Sequence, residues 1–446
     1  MKKTALTSLF ILLSFCSAFS QVDKNQLTSK IDNLVLGLVK YKNFSGTVLI
    51  SKDGQAVYEK AFGYADFDKK IPNNLNTKFC IASISKVFTA AAVMKLQEQG
   101  KLDVNDKLVK YIPDFPEADK ITIVELLEHR AGVKREMVDS INGWKKHYTT
   151  REIIDSIKKY PLDFEPGTKE RYSNGGYGVL ARVIEIASGK EYGQYLKEAI
   201  FRPLKMYNTL AYNSLSQQKN TAKGYDPAPF PAGIKETVFE DASQNIGAGS
   251  IYSTVPDLLK WDRALYDGSV LKQSTLDTMY KHGYGFGVYK RQGKNLVGHD
   301  GIINGYIGSM ESFVNEHVCI IFLSNIRTGA LNLLNNGLYE LYFHGKTKIP
   351  DIISTDQYSQ TATELRKFIG VYELFPGFSV IIKEDNGVLF LKGPGGYYTS
   401  LNCLAANRFF YRSLFAEIDF RATDGQLGIE WNDILSGKVY PAKKIN

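Results

Sequence analysis

A serine and a lysine three residues apart stand at the head of an apolar run: Ser83-Ile84-Ser85-Lys86 leads into Val87, Phe88, Ala90, Ala91, Ala92, Val93, Met94 and Leu96. On a helix such positions lie one above the other, so the lysine amine reaches the serine hydroxyl. The chemistry this allows is nucleophilic: an unprotonated amine takes the hydroxyl proton as the oxygen attacks a carbonyl. The run is apolar on most faces and ends at Gln97-Glu98-Gln99-Gly100, which predicts a buried helix over 86–99 stopped by glycine. Burial is what makes lysine a base, because desolvation disfavours its charged form. Bringing its pKa from about 10.4 to near 7 takes roughly 4 kcal/mol of bias against the ammonium. By itself the tetrapeptide is short, and a capping serine followed by a solvated lysine has the same letters.

Two further constellations carry usable groups. Pro166-Gly167-Thr168 leads through Arg171 to Tyr172-Ser173-Asn174-Gly175-Gly176, a polar turn before a helix predicted from Tyr177 to Ala187. There a tyrosine either holds its hydroxyl toward a cleft or packs its ring, and Asn174 offers both a donor and an acceptor. Gly298-His299-Asp300-Gly301 precedes Ile302-Ile303-Asn304-Gly305-Tyr306, either a strand edge that a substrate approaches closely or an ordinary turn. Other chemistries find no support. No serine sits in G-x-S-x-G, which argues against the common hydrolase elbow. His344-Gly345-Lys346-Thr347 has Glu340 where a phosphate-binding loop needs glycine. The six histidines show no H-x-x-x-H or H-x-H spacing, so no metal and no other cofactor is called for.

The elements that must position these groups read as an α/β arrangement. Phe44 to Ile50 and Ala56 to Ala61 predict a hairpin around Asp53-Gly54; Val318 to Leu323 reads as a strand and Ala330 to Phe343 as a helix. Together they imply an antiparallel sheet layered with helices. From about 362 to 446 the pattern is all strand, with Asn386-Gly387 and Asp424-Gly425 as hairpin turns between Phe378 to Ile382, Val388 to Leu391, Phe409 to Tyr411 and Glu417 to Phe420. Residues 346–361, with Pro350, read as a linker between a large mixed part (22–345) and this C-terminal β domain (362–446). Tyr397, Tyr398 and Phe409 are expected in the core of that domain rather than on a ligand platform.

Ser83-Ile84-Ser85-Lys86, Tyr172-Ser173-Asn174 and His299-Asp300-Gly301 together resemble the three motifs of the serine β-lactamases and penicillin-binding DD-peptidases, in the class C-like branch with its esterases and D-amino-acid peptidases. Supporting stretches are Gly100 to Val104, Leu126 to Gly132, Phe164 to Thr168, Pro203 to Met206 and Gly247 to Thr254; the resemblance spans most of residues 30 to 345. It implies an antiparallel sheet flanked by helices with an all-helical subdomain. It also implies acyl transfer through an ester on Ser83, with Lys86 and Tyr172 sharing the base role. Asn174, His299, Gly301 and Ile302 are then substrate-binding, and the oxyanion sits between the backbone N–H groups of Ser83 and Ile302. His299 stands where many relatives have lysine, which weakens the β-lactamase reading. A histidine there can donate a hydrogen bond and, when protonated, attract a substrate carboxylate. Arg327-Thr328-Gly329 imitates the missing lysine motif but follows the Val318 to Leu323 strand and opens the last helix, so it is read as a decoy.

The chain of 446 residues begins Met1-Lys2-Lys3, continues through Leu9 to Leu13 and reaches Ala18-Phe19-Ser20, the pattern of an export signal over 1–20. An uncleaved anchor, or a lipoprotein through Cys16, is the alternative. Residues 1–20 removed, the protein is expected to be secreted or periplasmic, with no stable membrane span. The formal charge of +8 is scattered among acidic residues, so a nucleic-acid surface is not expected. Cys80, Cys319 and Cys403 lack metal-ligand spacing and read as buried thiols. The expected substrate is a small peptide or ester, peptidoglycan fragments among them. A peptidase or amidase on D-amino-acid peptides ranks above an esterase, and a β-lactamase third; a non-catalytic glycan- or peptide-binding relative is the rival from another class.

Overall fold

The computed structural model describes residues 24–137, 145–211, 219–228, 233–238, 240–347, 358–393, 398–423, 426–434 and 436–445. The expected signal, most of the linker, Tyr397 and the Asp424-Gly425 turn lie outside them. In chain order the elements that matter for the site are α1 (Lys24–Lys40), β1 (Gly46–Lys52), β2 (Gln55–Phe62), α2 (Ser85–Glu98), α3 (Asn174–Ser188), α4 (Val255–Asp267), β3 (Gly287–Arg291), β4 (Lys294–Ile303), β5 (Tyr306–Phe313), β6 (Val318–Ser324) and α5 (Ala330–His344). The six strands form one antiparallel sheet in the order β3-β4-β5-β6-β1-β2. Strands β1 and β6, far apart in the chain, are therefore neighbours inside the sheet, where Val48 pairs with Phe322.

Each face of this sheet is covered, so β1 and β6 are apolar almost without interruption. On one face α1 and α5 bury Leu34, Val35, Leu334 and Tyr339 against Val48, Ile50, Ile320 and Phe322. On the other lies the larger core, with α2 at its centre: every residue from Ser85 to Met94 is buried, and Phe88 packs on Trp261 of α4 at 4.7 Å. A helix buried on all sides is what the run from Val87 to Leu96 requires. Among the described residues no helix is long and apolar enough to cross a membrane.

Residues Gly370 to Lys444 hold a nine-stranded antiparallel sheet with its own core around Phe368, Tyr372, Phe409 and Phe420. The Asn386-Gly387 pair turns the hairpin between the strands Phe378–Asp385 and Val388–Lys392, both residues with positive φ, 51° and 77°. Phe409 is buried as expected, whereas Tyr398 is exposed and lies against Lys383. Phe410 and Phe415 leave this core and join the one between the large sheet, α1 and α5. Cys80 and Cys319 are buried, but Cys403 is half-buried at the end of a short strand. Arg327-Thr328-Gly329 is structural: Arg327 pairs with Asp226 at 2.8 Å, the buried Thr328 hydroxyl donates to the Asn43 carbonyl, and Gly329 starts α5.

Candidate active site

Ser83 is not inside the α-helix. It sits in the 3₁₀ turn Ala82–Ile84 that feeds α2, and Lys86 falls in the first turn of α2. The three-residue spacing still stacks the two side chains, because a 3₁₀ turn eclipses i and i+3. Ala82 carries a positive φ of 46°, a conformation that costs a non-glycine residue of order 1–3 kcal/mol. The surroundings enforce it. Ile81 N–H donates to the Ile251 carbonyl at 2.9 Å, and Ile251 N–H donates to Ser85 Oγ at 3.1 Å. The residue before the nucleophile is thus clamped to the strand Ile251–Ser253 while Ser83 itself stays half-buried and reachable.

Lys86 is fully buried, and its Nζ has three oxygens around it: Asn174 Oδ1 at 2.9 Å, the Ala248 carbonyl at 2.9 Å and Ser83 Oγ at 3.2 Å. Burial pushes its pKa well below the ordinary lysine value, the Arg135 charge adds to this, and Glu136 opposes it. A neutral amine has two N–H groups and one lone pair. Asn174 Oδ1 and the Ala248 carbonyl can only accept, so they take the two hydrogens and leave the lone pair for the Ser83 hydroxyl. Tyr172 O–H donates to the same Ser83 Oγ at 2.8 Å. Its pKa is pushed up to about 12, chiefly by burial, so it is a neutral donor at ordinary pH.

Tyr172 both packs its ring and aims its hydroxyl. The ring lies 4.6 Å from that of His129, whose Nδ1 accepts the Ser173 N–H at 3.1 Å. Burial drives the His129 pKa down to about 3, so a neutral ring backs the tyrosine. Asn174 starts α3, three residues earlier than its glycines suggest. Ser173 caps the helix, accepting the Gly176 N–H at 2.9 Å and donating to the Lys134 carbonyl at 2.9 Å. With Asn174 Oδ1 committed to Lys86, its Nδ2 hydrogens are left for a substrate carbonyl.

The third motif runs along β4 against the nucleophile turn. A Cβ on Gly301 would lie 2.2 Å from the Ile81 carbonyl, so glycine is what permits the approach, and Ile302 follows it, 60% exposed. His299 is half-buried, and its Nδ1–H donates to the Asp300 carbonyl at 2.6 Å. Burial lowers its pKa to about 4, the Lys86 amine adds to this and the Asp300 hydrogen bond opposes it. Its neutral form, which offers Nε2 as an acceptor, is thereby favoured over the charged form that would attract a carboxylate. Sequence reasoning also missed the Ala248 carbonyl, His129 and the Ala82 conformation, although the stretches Leu126 to Gly132 and Gly247 to Thr254 stood out by resemblance.

Two openings lie near these residues. A cleft of about 750 Å³ is bordered by Lys86, Tyr172, His299, Glu128, Arg130 and Tyr289. A smaller pocket of about 240 Å³ lies past the end of β4 and is bordered by Cys80, Ile303, Asn304, Glu240 and Asn245. Between them, a serine polarised by a buried amine and a phenol can attack a carbonyl carbon and hold the acyl group.

The comparisons with known proteins agree with this arrangement. The β-lactamase family model matches residues 31–339. A penicillin-binding protein of Bacillus subtilis (strain 168) is 30% identical over 415 residues, covering 84% of this chain and 90% of that protein. A teichoic acid D-alanine hydrolase of Staphylococcus aureus (strain MRSA252) is 34% identical over 218 residues, covering 49% of this chain and 53% of that protein. The D-amino acid amidase of Ochrobactrum anthropi SV3 superposes with a TM-score of 0.63 at 25% identity, covering 72% of this chain and 99% of that one. With the fold, the motif residues and these relatives in agreement, the chain belongs to the β-lactamase family and is a serine hydrolase.

Proposed function

We propose that the protein hydrolyses amides or esters of D-amino acids through an acyl-enzyme on Ser83. The observation that carries the chemistry is the wiring of Lys86, a buried amine with Asn174 Oδ1 and the Ala248 carbonyl at 2.9 Å and Ser83 Oγ at 3.2 Å, so that in its neutral form the two N–H groups go to the first two and the lone pair faces the Ser83 hydroxyl. Ser83 Oγ attacks the substrate carbonyl and its proton passes to Lys86 Nζ. The oxyanion rests between the backbone N–H groups of Ser83 and Ile302, where each donor supplies about 3 kcal/mol. As the bond to the leaving nitrogen or oxygen breaks, Tyr172 O–H protonates it and Lys86 returns the proton to the tyrosine. Water then repeats the sequence on the ester, and the carboxylic acid leaves.

The D-amino-acid class is supported by relatives whose names are D-alanine hydrolase and D-amino acid amidase. His299 stands in place of the lysine many relatives carry, and burial disfavours its charged form, which supports leaving groups other than a C-terminal carboxylate and ranks amidase and esterase action above carboxypeptidase and β-lactamase action. The basic and apolar start of the chain supports export, and residues 22–345 are taken as the hydrolase unit, joined through 346–361 to the β domain. The test is intact-mass analysis after a fluorophosphonate or a penicillin, followed by D-alanyl amides and esters. The expected result is a fluorophosphonate adduct on Ser83, D-alanyl turnover, and no turnover by Ser83→Ala. No adduct with either probe would place the protein among binding relatives instead, and rapid turnover of the penicillin adduct would make it a β-lactamase.

A further inference from the structure

We infer that the pocket past the end of β4 receives the acyl half of the substrate and that Glu240 selects acyl groups carrying a free ammonium. The inference deepens the D-aminoacyl reading and rests on it. Tyr172, which gives its proton to the leaving group, borders the larger cleft together with His299. The leaving group therefore occupies that side of Ser83, and the acyl group extends to the other. What lies there is the pocket bordered by Ile303 and Asn304, the residues that follow the oxyanion position Ile302 on the same backbone. Gly301 presses that backbone against Ile81, and Gly249 places Asn245 beside Ala82, so the pocket opens within a residue or two of the nucleophile. At about 240 Å³ it fits a small acyl residue, not a glycan or a long peptide.

The charge in that pocket is sorted. Glu236 is paired with Lys223 at 2.9 Å, and Asp241 holds the turn that begins at Ser243, accepting its N–H at 2.9 Å. Glu240 is held otherwise. One carboxylate oxygen takes the Asn304 amide, the other takes the Gln244 amide at 3.2 Å, and no cation bonds it among the described residues. Burial raises its pKa, while the two amides and the Arg327 charge act the other way. Arg327 is itself paired with Asp226 at 2.8 Å, so two neutral amides fix the direction of the Glu240 carboxylate, which suits an ammonium one carbon from the scissile carbonyl. Asn304, sitting between the β4 backbone and Glu240, sets the distance from oxyanion to ammonium.

The experiment compares kcat/KM for D-alanyl and propionyl p-nitrophenyl esters, which differ by the ammonium alone, in the full chain and in Glu240→Gln. Loss of a charge-assisted hydrogen bond is expected to lower the D-alanyl to propionyl ratio by about 10- to 100-fold. The rate of Ser83 labelling by a fluorophosphonate, which has no ammonium, reports whether the variant's site is assembled. A labelled Glu240→Gln with an unchanged ratio overturns the role of Glu240. A full chain that turns over the propionyl ester and not the D-alanyl ester overturns the D-aminoacyl reading itself, whatever Glu240 does.

Discussion

Two side chains share one serine oxygen, and their opposite pKa shifts divide the labour. Lys86 is depressed by burial and by Arg135, so it is the group that exists as a base; Tyr172 is raised to about 12, so it is the group that keeps its proton and can give it away. Activity on a neutral ester should therefore rise with pH through the depressed Lys86 pKa and then stay flat, with no alkaline loss from Tyr172 before about 12. A kcat/KM profile that falls between pH 8 and 10 would assign the proton-donating role to a group other than Tyr172. Tyr172→Phe keeps the ring on His129 and removes only the hydroxyl, so a drop in kcat of about a hundredfold or more is expected with little change in Tm. Side-chain chemistry of this kind was open to sequence reading, because Ser83, Lys86, Tyr172 and Asn174 are letters. The Ala248 carbonyl that completes the lysine site was not, since every residue has a carbonyl and only the fold says which one is buried beside the amine. The positive φ of Ala82 escaped for the same reason: alanine gives no sign of it.

At the scale of elements, the parts that sequence patterns reached are those whose burial is one-sided or total. The hairpin at Asp53-Gly54 follows directly from its turn pair and helix α2 from an unbroken apolar run. Helix α3 shows where such reading stops. Gly175 and Gly176 argue against helix at its start, each costing up to about 1 kcal/mol relative to alanine. Packing reverses that preference: a Cβ on Gly175 would lie 2.4 Å from the Lys134 carbonyl, so the helix can begin at Asn174 only with glycine beside it. Ser173 then secures the end with its cap. Ser173→Ala should destabilise the protein by about 1–2 kcal/mol. It should also lower kcat, because Asn174 at the first helical position holds Lys86. The check is a denaturant titration beside steady-state kinetics; a full loss of cap energy with unchanged kcat would separate the helix start from the lysine site.

For the whole molecule the question is what the C-terminal sheet does for the rest. Its turn between the strands Arg408–Tyr411 and Ala416–Thr423 enters the hydrolase part through three residues. Phe410 and Phe415 pack with α1, α5 and the large sheet, and Arg412 between them is fully buried. Among the described residues no carboxylate meets its guanidinium. It donates instead to Asn43 Oδ1 at 2.9 Å, to the Lys42 carbonyl at 2.5 Å, to the Tyr41 carbonyl at 3.3 Å and to the Gly233 carbonyl, while its own carbonyl accepts the Gly329 N–H at 2.9 Å. Burial lowers its pKa to about 10, which leaves it charged at neutral pH. A buried cation compensated only by dipoles is tolerated when each oxygen is aimed at it, and removing it orphans all of them together. The two parts are therefore coupled through this segment, with Arg412 at its centre, and wild type should melt in a single calorimetric transition. Arg412→Ala should cost about 3 kcal/mol or more from the unpaired acceptors. It should also split the melt in two, with the hydrolase part the less stable because α5 loses the contact at Gly329. An Arg412→Ala protein that melts in one transition at the wild-type temperature would show that the apolar pair Phe410 and Phe415 holds the two parts together unaided.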